Sequence, residues 1–448
     1  MLSDTIAAIS TAPGESAISV IRLSGPKALA IAASVFKLPN KVIPRHVHLA
    51  SVHDENGAKI DSGVLLHFQG PASYSGEDVI EFQGHGGVLV TQRVLERLLA
   101  CGARPAEAGE FTQRAFLNGK MDLTQAEAVM DLIHAQSTLA LRAANEQLQG
   151  AIGREAEHMQ QMLVPVLAHI EAYIDFPDED ISPETGADLL RRIDAVQSQA
   201  SQLLATAEQG RILRHGARTV ISGAPNVGKS SLLNLLLGFE RAIVSSTAGT
   251  TRDTIEEIIQ VHGIPLRLVD TAGLRDSQDA IERIGIERTQ REIERADLIL
   301  EVFDGSQPPS TTPKLEVPTA LLDRHLIILN KTDLGTHPAW GRHKNAIRIS
   351  CVQNEGIKAL RDAIREIITK AGSLASDHPI AINARHQAAF QRSVDRLTAA
   401  RAAIESEKEP EFIALELRES LQALGDVIGQ VDVEQILDVI FSTFCIGK

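Results

Sequence analysis

The sequence has few features that would place the protein in a membrane or in an oxidising compartment. Its three cysteines, Cys101, Cys351 and Cys445, are odd in number and widely spaced, which excludes a disulfide framework and a zinc-binding pattern. No stretch approaches the roughly eighteen consecutive apolar residues of a transmembrane helix, and the N-terminus lacks a charged start followed by an apolar run. We therefore predict a cytoplasmic protein with no membrane partner.

Aromatic residues are also scarce, and the 58 acidic residues outnumber the 44 lysines and arginines. Only 3% of the 448 residues are aromatic, whereas 44% are hydrophobic and 23% are charged, which is the composition of a globular protein. The length is enough for about two to four domains. The formal net charge of −14 argues against binding nucleic acid through a generally basic surface, although it leaves room for a local basic patch.

The strongest positive signal is Gly223–Ser230, which matches the phosphate-loop pattern G-x-x-x-x-G-K-[ST] at every fixed position. It follows the β-branched residues 218–221, which predict a strand, and precedes the apolar residues 231–236, which predict a helix. The glycines let successive N–H groups face one anion, and the start of the helix adds the positive end of its dipole. The pattern assigns Lys229 to the terminal phosphates and the Ser230 hydroxyl to Mg²⁺.

A second motif, Asn330–Asp333, indicates that the base is guanine, and it follows the apolar strand-like residues 326–329. The Asp333 carboxylate can accept hydrogen bonds from the ring N–H and the exocyclic amine of guanine, a donor pair that adenine lacks. We expect the stem of Lys331 to lie over the base and Ser350 to supply a backbone contact. The cysteine that follows Ser350 departs from the alanine that is usual in GTP-binding folds.

Two further motifs fit the same nucleotide. In Asp270–Gly273, Asp270 is expected to reach Mg²⁺ through water, and the N–H of Gly273 is expected to sense the γ-phosphate. Upstream, Gly249–Asp253 supplies a hydroxyl for the metal, which we assign to Thr251. The order and spacing of the four motifs predict GTP binding.

The groups that would accelerate hydrolysis are less evident. Leu274 follows Gly273, where many small GTPases have a glutamine that orients the attacking water, and no arginine finger is identifiable from spacing. Either the protein hardly hydrolyses GTP, or other groups orient the water and supply the missing positive charge. A bound monovalent cation is one solution, with the amide oxygen of Asn226 as a ligand beside the phosphates.

The alternation of strand-like and helical runs predicts a multidomain α/β protein. We predict an α+β N-terminal domain over 1–118, an all-α helical domain split over 119–210 and 376–448, and an inserted P-loop GTPase domain over 215–372. The inserted domain should be a mostly parallel sheet with helices on both faces, with strands at 219–222, 264–269, 297–303, 325–329 and 346–349.

Local patterns predict the other elements. The N-terminal domain should contain two helices and four strands, at 26–36 and 87–99 and at 16–23, 46–52, 63–68 and 78–82 respectively. A capping box at Thr124–Glu127 predicts a helix that continues to Gln136, a long helical pattern then runs from Leu141 to Ile174, and a further helix is predicted from 188 to 208. Gln209 and Gly210 are expected to begin the linker to the nucleotide domain.

The chain resembles the MnmE (TrmE) family of tRNA-modification GTPases over essentially its whole length. Phosphate-loop motifs alone would fit many GTPases, but other strings are specific to this family. They are Gly76–Glu81, Gln83–Gly87, Gly109–Thr112, Arg114–Lys120 and the terminal Cys445–Lys448. Leu274 and Glu282 also match the family.

The resemblance implies a potassium ion between the nucleotide domains of a dimer, held by Asn226 and by the backbone of Ser245, Thr247 and Thr250. It implies that Glu282 orients the attacking water, with Lys229 as the other catalytic residue. The full set of implied nucleotide contacts is Asn226, Val227, Gly228, Lys229, Ser230, Ser231, Ser245, Ser246, Thr247, Ala248, Gly249, Thr250, Thr251, Asp270, Thr271, Ala272, Gly273, Asn330, Lys331, Asp333 and Ser350.

The resemblance also implies a folate site in an N-terminal domain that dimerises. Arg22, Glu81 and Lys120 match the folate contacts of the family, with Lys448 close by. A homodimer would work with the flavoprotein MnmG, as a heterotetramer, on tRNA. Together they would install an aminomethyl or carboxymethylaminomethyl group at the five-position of the wobble uridine, with 5-formyl- or methylene-tetrahydrofolate as the one-carbon donor.

Some alternatives stay open at this stage. Cys445 is a candidate functional thiol, but a structural or substrate-lining role fits it equally well, because the sequence shows no base partner. A ribosome-assembly GTPase shares the nucleotide motifs. Such a protein is expected to carry a basic RNA-binding domain after the GTPase domain, whereas the C-terminal helices here are acidic. A folate-dependent transferase with a regulatory GTPase domain is a further alternative. The metal and base motifs disfavour a purely structural scaffold.

Overall fold

The computed structural model describes residues 4–175, 186–239, 256–269, 290–309, 317–371 and 380–430, together with residues 440, 444, 445 and 447. The chain divides into two compact units, of which the first is Met1–Met130 with Gly425–Lys448 and the second is Asp131–Leu424. This division does not separate the helices of the second unit from its sheet, so the three domain bounds given above stay a prediction.

The first unit is built on a seven-stranded sheet in the order β3-β4-β5-β6-β2-β1-β7. The strands pair antiparallel except for β1 and β7, which are parallel. Their bounds are β1 Ile6–Ile9, β2 Ser16–Ser24, β3 Phe36–Lys37, β4 Val47–His53, β5 Lys59–Phe68, β6 Val79–Gly86 and β7 Arg104–Pro105.

One face of this sheet is covered by helices, and the other is open around β4 and the start of β2, although Phe111 of α3 (Glu110–Leu117) packs against Ile6 and Ala8 of β1 on it. Helices α1 (Ala28–Val35) and α2 (Val88–Ala100) lie over the core residues of the strands, and α3 and α4 (Leu123–His134) follow them in the chain. Because strand side chains alternate, neighbouring positions point to the opposite face. There Ile18, Val47 and Leu49 are 60%, 65% and 79% exposed, so this face carries apolar side chains with little cover in the first unit.

The helices of the second unit are shorter than the hydrophobic pattern predicts, because a capping residue and a glycine set their ends. They are α5 Thr138–Leu148, α6 Ala151–Asp175, α7 Gly186–Leu204, α8 Ala207–His215, α11 Ala384–Glu405 and α12 Pro410–Ile428. The helix predicted from Thr124 corresponds to α4, whereas the long helical pattern predicted from Leu141 to Ile174 is wrong in one respect, because it forms the two helices α5 and α6. The Ser137 hydroxyl caps α5 by accepting the N–H of Ala140 at 3.1 Å, and Gly150 in the left-handed region separates α5 from α6.

The linker predicted at Gln209 and Gly210 is also wrong. Both residues lie inside α8, which runs almost directly into the nucleotide-binding sheet. A Cβ at Gly210 would meet the carbonyl oxygen of Ile382 at 2.1 Å, so glycine serves close packing here rather than flexibility. None of the helices in the described part of the chain is long and apolar enough to cross a membrane.

The second unit also holds a six-stranded sheet in the order β13-β12-β11-β8-β10-β9. All neighbours are parallel except the edge strand β9, which pairs antiparallel with β10. The bounds are β8 Ala217–Ser222, β9 Glu256–Val261, β10 Ile264–Val269, β11 Leu298–Asp304, β12 His325–Asn330 and β13 Ile347–Arg348. The mostly parallel sheet confirms the predicted fold class, and β9 is the strand of this sheet that the sequence analysis missed.

Both faces of this sheet are packed. Helices α9 (Lys229–Phe239) and α10 (Ile357–Ala371) contribute to a core of Val, Leu and Ile side chains on one face. Ile293 and Ala296 pack against Val220 and Ile299 in a smaller cluster. The carboxyl ends of the parallel strands therefore meet at one edge, where α/β proteins bind their ligands.

Candidate functional site

The phosphate loop lies between β8 and α9, and two of its glycines cannot be replaced without a collision. Gly223 has a φ of +141°, and a Cβ there would meet the carbonyl oxygen of Val302 at 2.2 Å. Gly228 has a φ of +102°, and its Cβ would meet Nδ2 of Asn330 at 2.1 Å. The loop is thus pressed against the ends of β11 and β12, which gives the backbone the curl that a phosphate cradle needs.

The polar groups of the loop face outward from the start of an eleven-residue helix. Asn226 is exposed with a φ of +63°, while Val227 is buried beneath the loop. Lys229 Nζ donates to the carbonyl oxygens of Gly223 and Ala224 at 2.7 and 2.8 Å, so the ammonium group lies over the loop. An exposed cradle at a helix N-terminus, with an ammonium group beside it, fits polyphosphate.

The hydroxyl groups at the start of α9 suit the cation that accompanies such a phosphate. Ser230 and Ser231 lie in the first turn and are both exposed. A hydroxyl oxygen in this position is a hard donor of the kind that Mg²⁺ prefers, and the ion keeps most of its waters in such sites. The residues present at this edge therefore fit GTP with Mg²⁺.

Asn330 joins the base-binding motif to the phosphate loop. Its Nδ2 donates to the carbonyl oxygen of Val227 at 2.9 Å, and its Oδ1 accepts the N–H of Cys351 at 3.2 Å. Asn330 is 3% exposed, and these two bonds fix both ends of its amide. The amide therefore sets the relative position of the loop, the end of β12 and the segment after β13.

Asp333 and Ser350 are brought together by the same strand order. Asp333 Oδ1 accepts the hydroxyl of Ser350 at 2.6 Å, and that hydroxyl oxygen accepts the N–H of Gln353 at 3.1 Å. Ser350 is fully buried, whereas Asp333 remains exposed and available to a ligand. Burial and the Asp333 carboxylate raise the pKa of the Cys351 thiol, which keeps that thiol neutral beside the site. The side chain of Ser350 thus orients the Asp333 carboxylate, a contact that is not predicted from the sequence.

Lys331 has a partner that the sequence analysis also missed. It lies in the left-handed region at a φ of +63°, and its Nζ donates to Asp304 Oδ2 at 2.8 Å. Asp304 ends β11 and is paired in register with Asn330 on β12. Burial opposes ionisation of Asp304, but hydrogen bonds from Lys331 and Ser306 outweigh it and hold the pKa of its carboxyl below the usual value.

Other predicted residues lie outside the described part of the chain. They are the residues assigned to the metals, to the γ-phosphate and to the attacking water, and one folate contact, namely Ser245, Ser246, Thr247, Ala248, Gly249, Thr250, Thr251, Asp270, Thr271, Ala272, Gly273, Glu282 and Lys448. Their roles stay predictions.

In the first unit, Arg22 and Glu81 form the centre of the second predicted site. They are register partners on β2 and β6, and Arg22 Nε donates to Glu81 Oε1 at 2.9 Å. The Arg22 guanidinium also lies 5.5 Å from the ring centroids of Tyr74 and Phe111, within reach of a cation–π contact. Neither aromatic contact is predicted from the sequence, because neither residue stands in a motif with Arg22.

Lys120 is tied to the loop that carries Tyr74. Its Nζ donates to the carbonyl oxygen of Pro71 at 3.0 Å, and the Tyr74 hydroxyl shares a 2.8 Å hydrogen bond with Thr112. Burial raises the pKa of Tyr74, so this phenol is neutral at physiological pH. The loop over residues 70–77 thus links Lys120 to the surroundings of Arg22.

Gly447 lies beside the end of β1. Ser10 Oγ donates to the carbonyl oxygen of Gly447 at 3.0 Å, and a Cβ at Gly447 would meet the carbonyl oxygen of Ile9 at 2.6 Å. Cys445 is exposed as a free thiol two residues earlier. Gly447 is thus placed at the strand that neighbours β2, which carries Arg22.

Comparison with known proteins identifies the family. Residues 5–120 match the profile of the GTP-binding protein TrmE N-terminus, and residues 123–445 match the profile of the MnmE helical domain. The tRNA modification GTPase MnmE of Akkermansia muciniphila is 53% identical over 448 residues, which covers 99% of either chain. The MnmE of Aquifex aeolicus is 41% identical over the full length of both chains. The chain belongs to the MnmE family of tRNA modification GTPases.

Membership of the MnmE family agrees with the geometry of the nucleotide site. The chain is a GTP-hydrolysing enzyme of tRNA modification, and the family implies GTP and Mg²⁺ as its ligands. Among solved structures, Aquifex aeolicus Era is 23% identical at a TM-score of 0.28, over 41% of this chain and 67% of that one, and adds nothing to the assignment.

Proposed function

We propose that this member of the MnmE family uses its GTPase cycle to drive modification of the wobble uridine of tRNA at its five-position, adding an aminomethyl or carboxymethylaminomethyl group. The observation that carries the proposal is the phosphate loop, whose Gly223 and Gly228 leave no room for a Cβ, at the same edge of the sheet as the hydrogen-bonded pair Asp333 and Ser350. The chain that contains this site is 53% identical to a tRNA modification GTPase. A site that selects guanine and holds a polyphosphate is what a GTP-driven switch requires.

The residues of the site would act on GTP by position and charge. Lys229 stabilises the charge that develops on the phosphates, and Ser230 with Thr251 holds Mg²⁺, which neutralises further phosphate charge when bound. Asp270 would reach the ion through water. Glu282 orients the water that attacks the γ-phosphate in line, which is the role that Leu274 cannot perform.

Asn226 would supply the remaining positive charge indirectly, as a ligand of potassium. Its amide stands exposed on the phosphate loop with a left-handed backbone, so its oxygen is accessible beside the phosphates. The backbone carbonyls of Ser245, Thr247 and Thr250 complete the proposed set. We infer that the ion joins the nucleotide domains of two protomers, which makes dimerisation dependent on both GTP and potassium.

The first unit would bind folate and form the constitutive part of the homodimer. Arg22 and Glu81 present a charged pair next to two aromatic rings, with Lys120 on the adjoining loop. Such a set suits a ligand with a conjugated ring and carboxylates, here 5-formyl- or methylene-tetrahydrofolate. The flavoprotein MnmG would complete the modifying complex as a heterotetramer, with tRNA as substrate, and Cys445 is a candidate thiol in it.

The potassium and water assignments are tested by GTP hydrolysis of the full chain in potassium and in sodium salts. We expect potassium to accelerate turnover by about tenfold or more, since a missing cation in phosphoryl transfer costs several orders of magnitude in rate. Glu282→Ala should retain nucleotide binding and lose most turnover. Equal rates in the two salts would remove the potassium site, and an unchanged kcat in Glu282→Ala would remove Glu282 from catalysis.

A further inference from the structure

On the base-binding side of the nucleotide site, Lys331 forms an ion pair with Asp304, a residue that belongs to none of the nucleotide motifs. Lys331 Nζ and Asp304 Oδ2 are 2.8 Å apart, although the two residues are 27 positions apart in sequence. Asp304 ends β11 and Lys331 follows the end of β12, and the two strands are parallel neighbours. The stem of Lys331 therefore crosses from one strand end to the next along the ligand-binding edge of the sheet.

The carboxylate of Asp304 is itself held in place. Its Oδ1 accepts the N–H of Ser306 at 3.0 Å and the hydroxyl of Ser306 at 2.6 Å, which leaves Oδ2 directed at Lys331. The side chains of Asp304 and Lys331 are only 20% and 32% exposed. A partly buried pair with one partner already fixed loses less side-chain freedom than a surface pair.

The turn after β11 is anchored from two sides. Gly305 N–H donates to the carbonyl oxygen of Asn330 at 2.8 Å, and the indole N–H of Trp340 donates to the carbonyl oxygen of Gln307 at 2.8 Å. Trp340 is 3% exposed and its ring lies 5.1 Å from that of Phe303. The position of Asp304 is thus set by the core of the domain and does not depend on a bound ligand.

We propose that Asp304 is a positioning residue for guanine-nucleotide binding, which holds the methylene stem of Lys331 as a preformed surface for the face of the base. The inference rests on the guanine site proposed above. Asp333, two residues after Lys331, binds the edge of the base. A lysine stem that is already ordered costs less conformational entropy when the base binds, so Asp304 increases affinity without touching the nucleotide.

Calorimetry of the full chain with GDP and Mg²⁺ tests this directly. Asp304→Asn, which keeps the shape of the side chain, should weaken GDP binding by about three- to tenfold. Glu301→Gln is the matched control, because Glu301 lies on the same strand and pairs with His325 of β12 at 2.9 Å, away from the nucleotide edge. Glu301→Gln should leave GDP affinity unchanged, and an equal loss in this control would overturn the proposal.

A double-mutant cycle separates positioning from a merely structural role. If Asp304 acts through Lys331, Asp304→Asn should cause no further loss of affinity in a Lys331→Met background, whereas additive losses would overturn the proposal.

Asp304→Asn should weaken GDP and IDP by the same factor, since both bases share the stacking face. A changed ratio of the two affinities would point instead to disturbance of Asp333 and would count against the proposal.

Two readouts keep the outcome interpretable. Trp340 is the single tryptophan of the chain, so an unchanged emission spectrum in Asp304→Asn shows that the anchored turn is intact. An altered spectrum together with weakened pyrophosphate binding would mean that the variant acts through the fold, which counts against the inference. Failure of the unmodified chain to bind GDP would refute the guanine site itself, and normal GDP binding by Asp304→Asn would refute only the role of Asp304.

Discussion

At the scale of single residues, the guanine site depends on one carboxylate and the hydroxyl that orients it. Asp333 is exposed while its partner Ser350 is fully buried, so the hydroxyl holds one oxygen of the carboxylate and the group still faces solvent. A carboxylate accepts two N–H donors from guanine, whereas an amide presents one acceptor and one donor. In the proposed guanine site, base selection would therefore follow from the negative charge of Asp333 and from its two acceptor oxygens.

Asp333→Asn should reverse the base preference of the site. We expect GTP affinity to fall by about ten- to a hundredfold, because an N–H donor of guanine then loses its acceptor, and affinity for XTP to rise, because xanthine carries a carbonyl in place of the exocyclic amine. Competition binding with the two nucleotides measures both changes. Asp323→Asn, on an exposed carboxylate of the same unit, serves as the control. Unchanged GTP affinity in Asp333→Asn would exclude this residue from base selection.

The sequence located Asn330, Asp333 and Ser350 at one site because they follow strands whose carboxyl ends meet at one edge of a parallel sheet. It gave no indication of Asp304, since a single acid at the end of a strand is common and only the strand register brings it to Lys331. Tyr74 was missed for a similar reason, because it reaches Arg22 through a loop and not through a motif.

At the scale of elements, the hydrophobic pattern predicted the long strands of the second unit. It failed at an edge strand and at a helix boundary, where strand pairing and a glycine decide the local structure. The strands β8, β10, β11 and β12 are apolar runs buried on both faces, and their positions were predicted within two residues. The edge strand β9 begins with Glu256 and Glu257, and its apolar residues Ile258, Ile259 and Val261 do not alternate strictly with polar ones, so no strand period marks it. Helices α5 and α6 were predicted as one pattern because the apolar periodicity continues from Leu148 to Ile152, across Gly150.

A buried network ties α3 to β7 in the first unit, and it makes a pH-dependent contribution to stability. Glu110 accepts hydrogen bonds from Arg104 and from the fully buried Arg114. Burial opposes ionisation of Glu110, but these bonds outweigh it, and the pKa of Glu110 is lowered from its ordinary value of 4.5. A carboxyl with a lowered pKa stabilises the fold above its unfolded pKa, and that stabilisation is lost as pH falls through the folded value.

Acidification should therefore destabilise the chain, and Glu110→Gln should reduce that dependence. Between pH 7 and pH 3.5 we expect the urea midpoint of the unmodified chain to fall, and we expect a smaller fall in Glu110→Gln from a lower starting value at pH 7. Glu96→Gln, on an exposed position of α2, should retain the dependence of the unmodified chain. Equal pH dependence in Glu110→Gln and the unmodified chain would contradict this role for the network.

At the scale of the whole molecule, the exposed part of the first sheet is the surface that we propose for the dimer. Ile18 on β2 and Val47 and Leu49 on β4 are exposed apolar side chains on this face, whereas α1 and α2 cover the opposite face. Exposed apolar area of this kind marks interaction surfaces in proteins of otherwise ordinary composition. The sequence could place these residues on strands, but only the register of β4 and β2 in the sheet shows that they share a face.

The full chain should sediment as a dimer, and Leu49→Asp should shift it to monomer at micromolar concentration, because a charge would then be buried in an apolar interface. Leu322→Asp places the same charge on an exposed leucine of the second unit and should remain dimeric. GDP affinity should be unchanged in both variants. Dimeric Leu49→Asp with an unaltered dissociation constant would show that this face is not the interface.

The central claim is that GTP binding by this chain serves modification of the wobble uridine, and mass spectrometry of tRNA tests it most directly. In cells that lack the gene, we predict that the five-substituted wobble uridine is absent, that the unmodified chain restores it, and that Asp333→Asn does not. Wobble uridine that carries its full five-position substituent in cells lacking the gene would contradict the account.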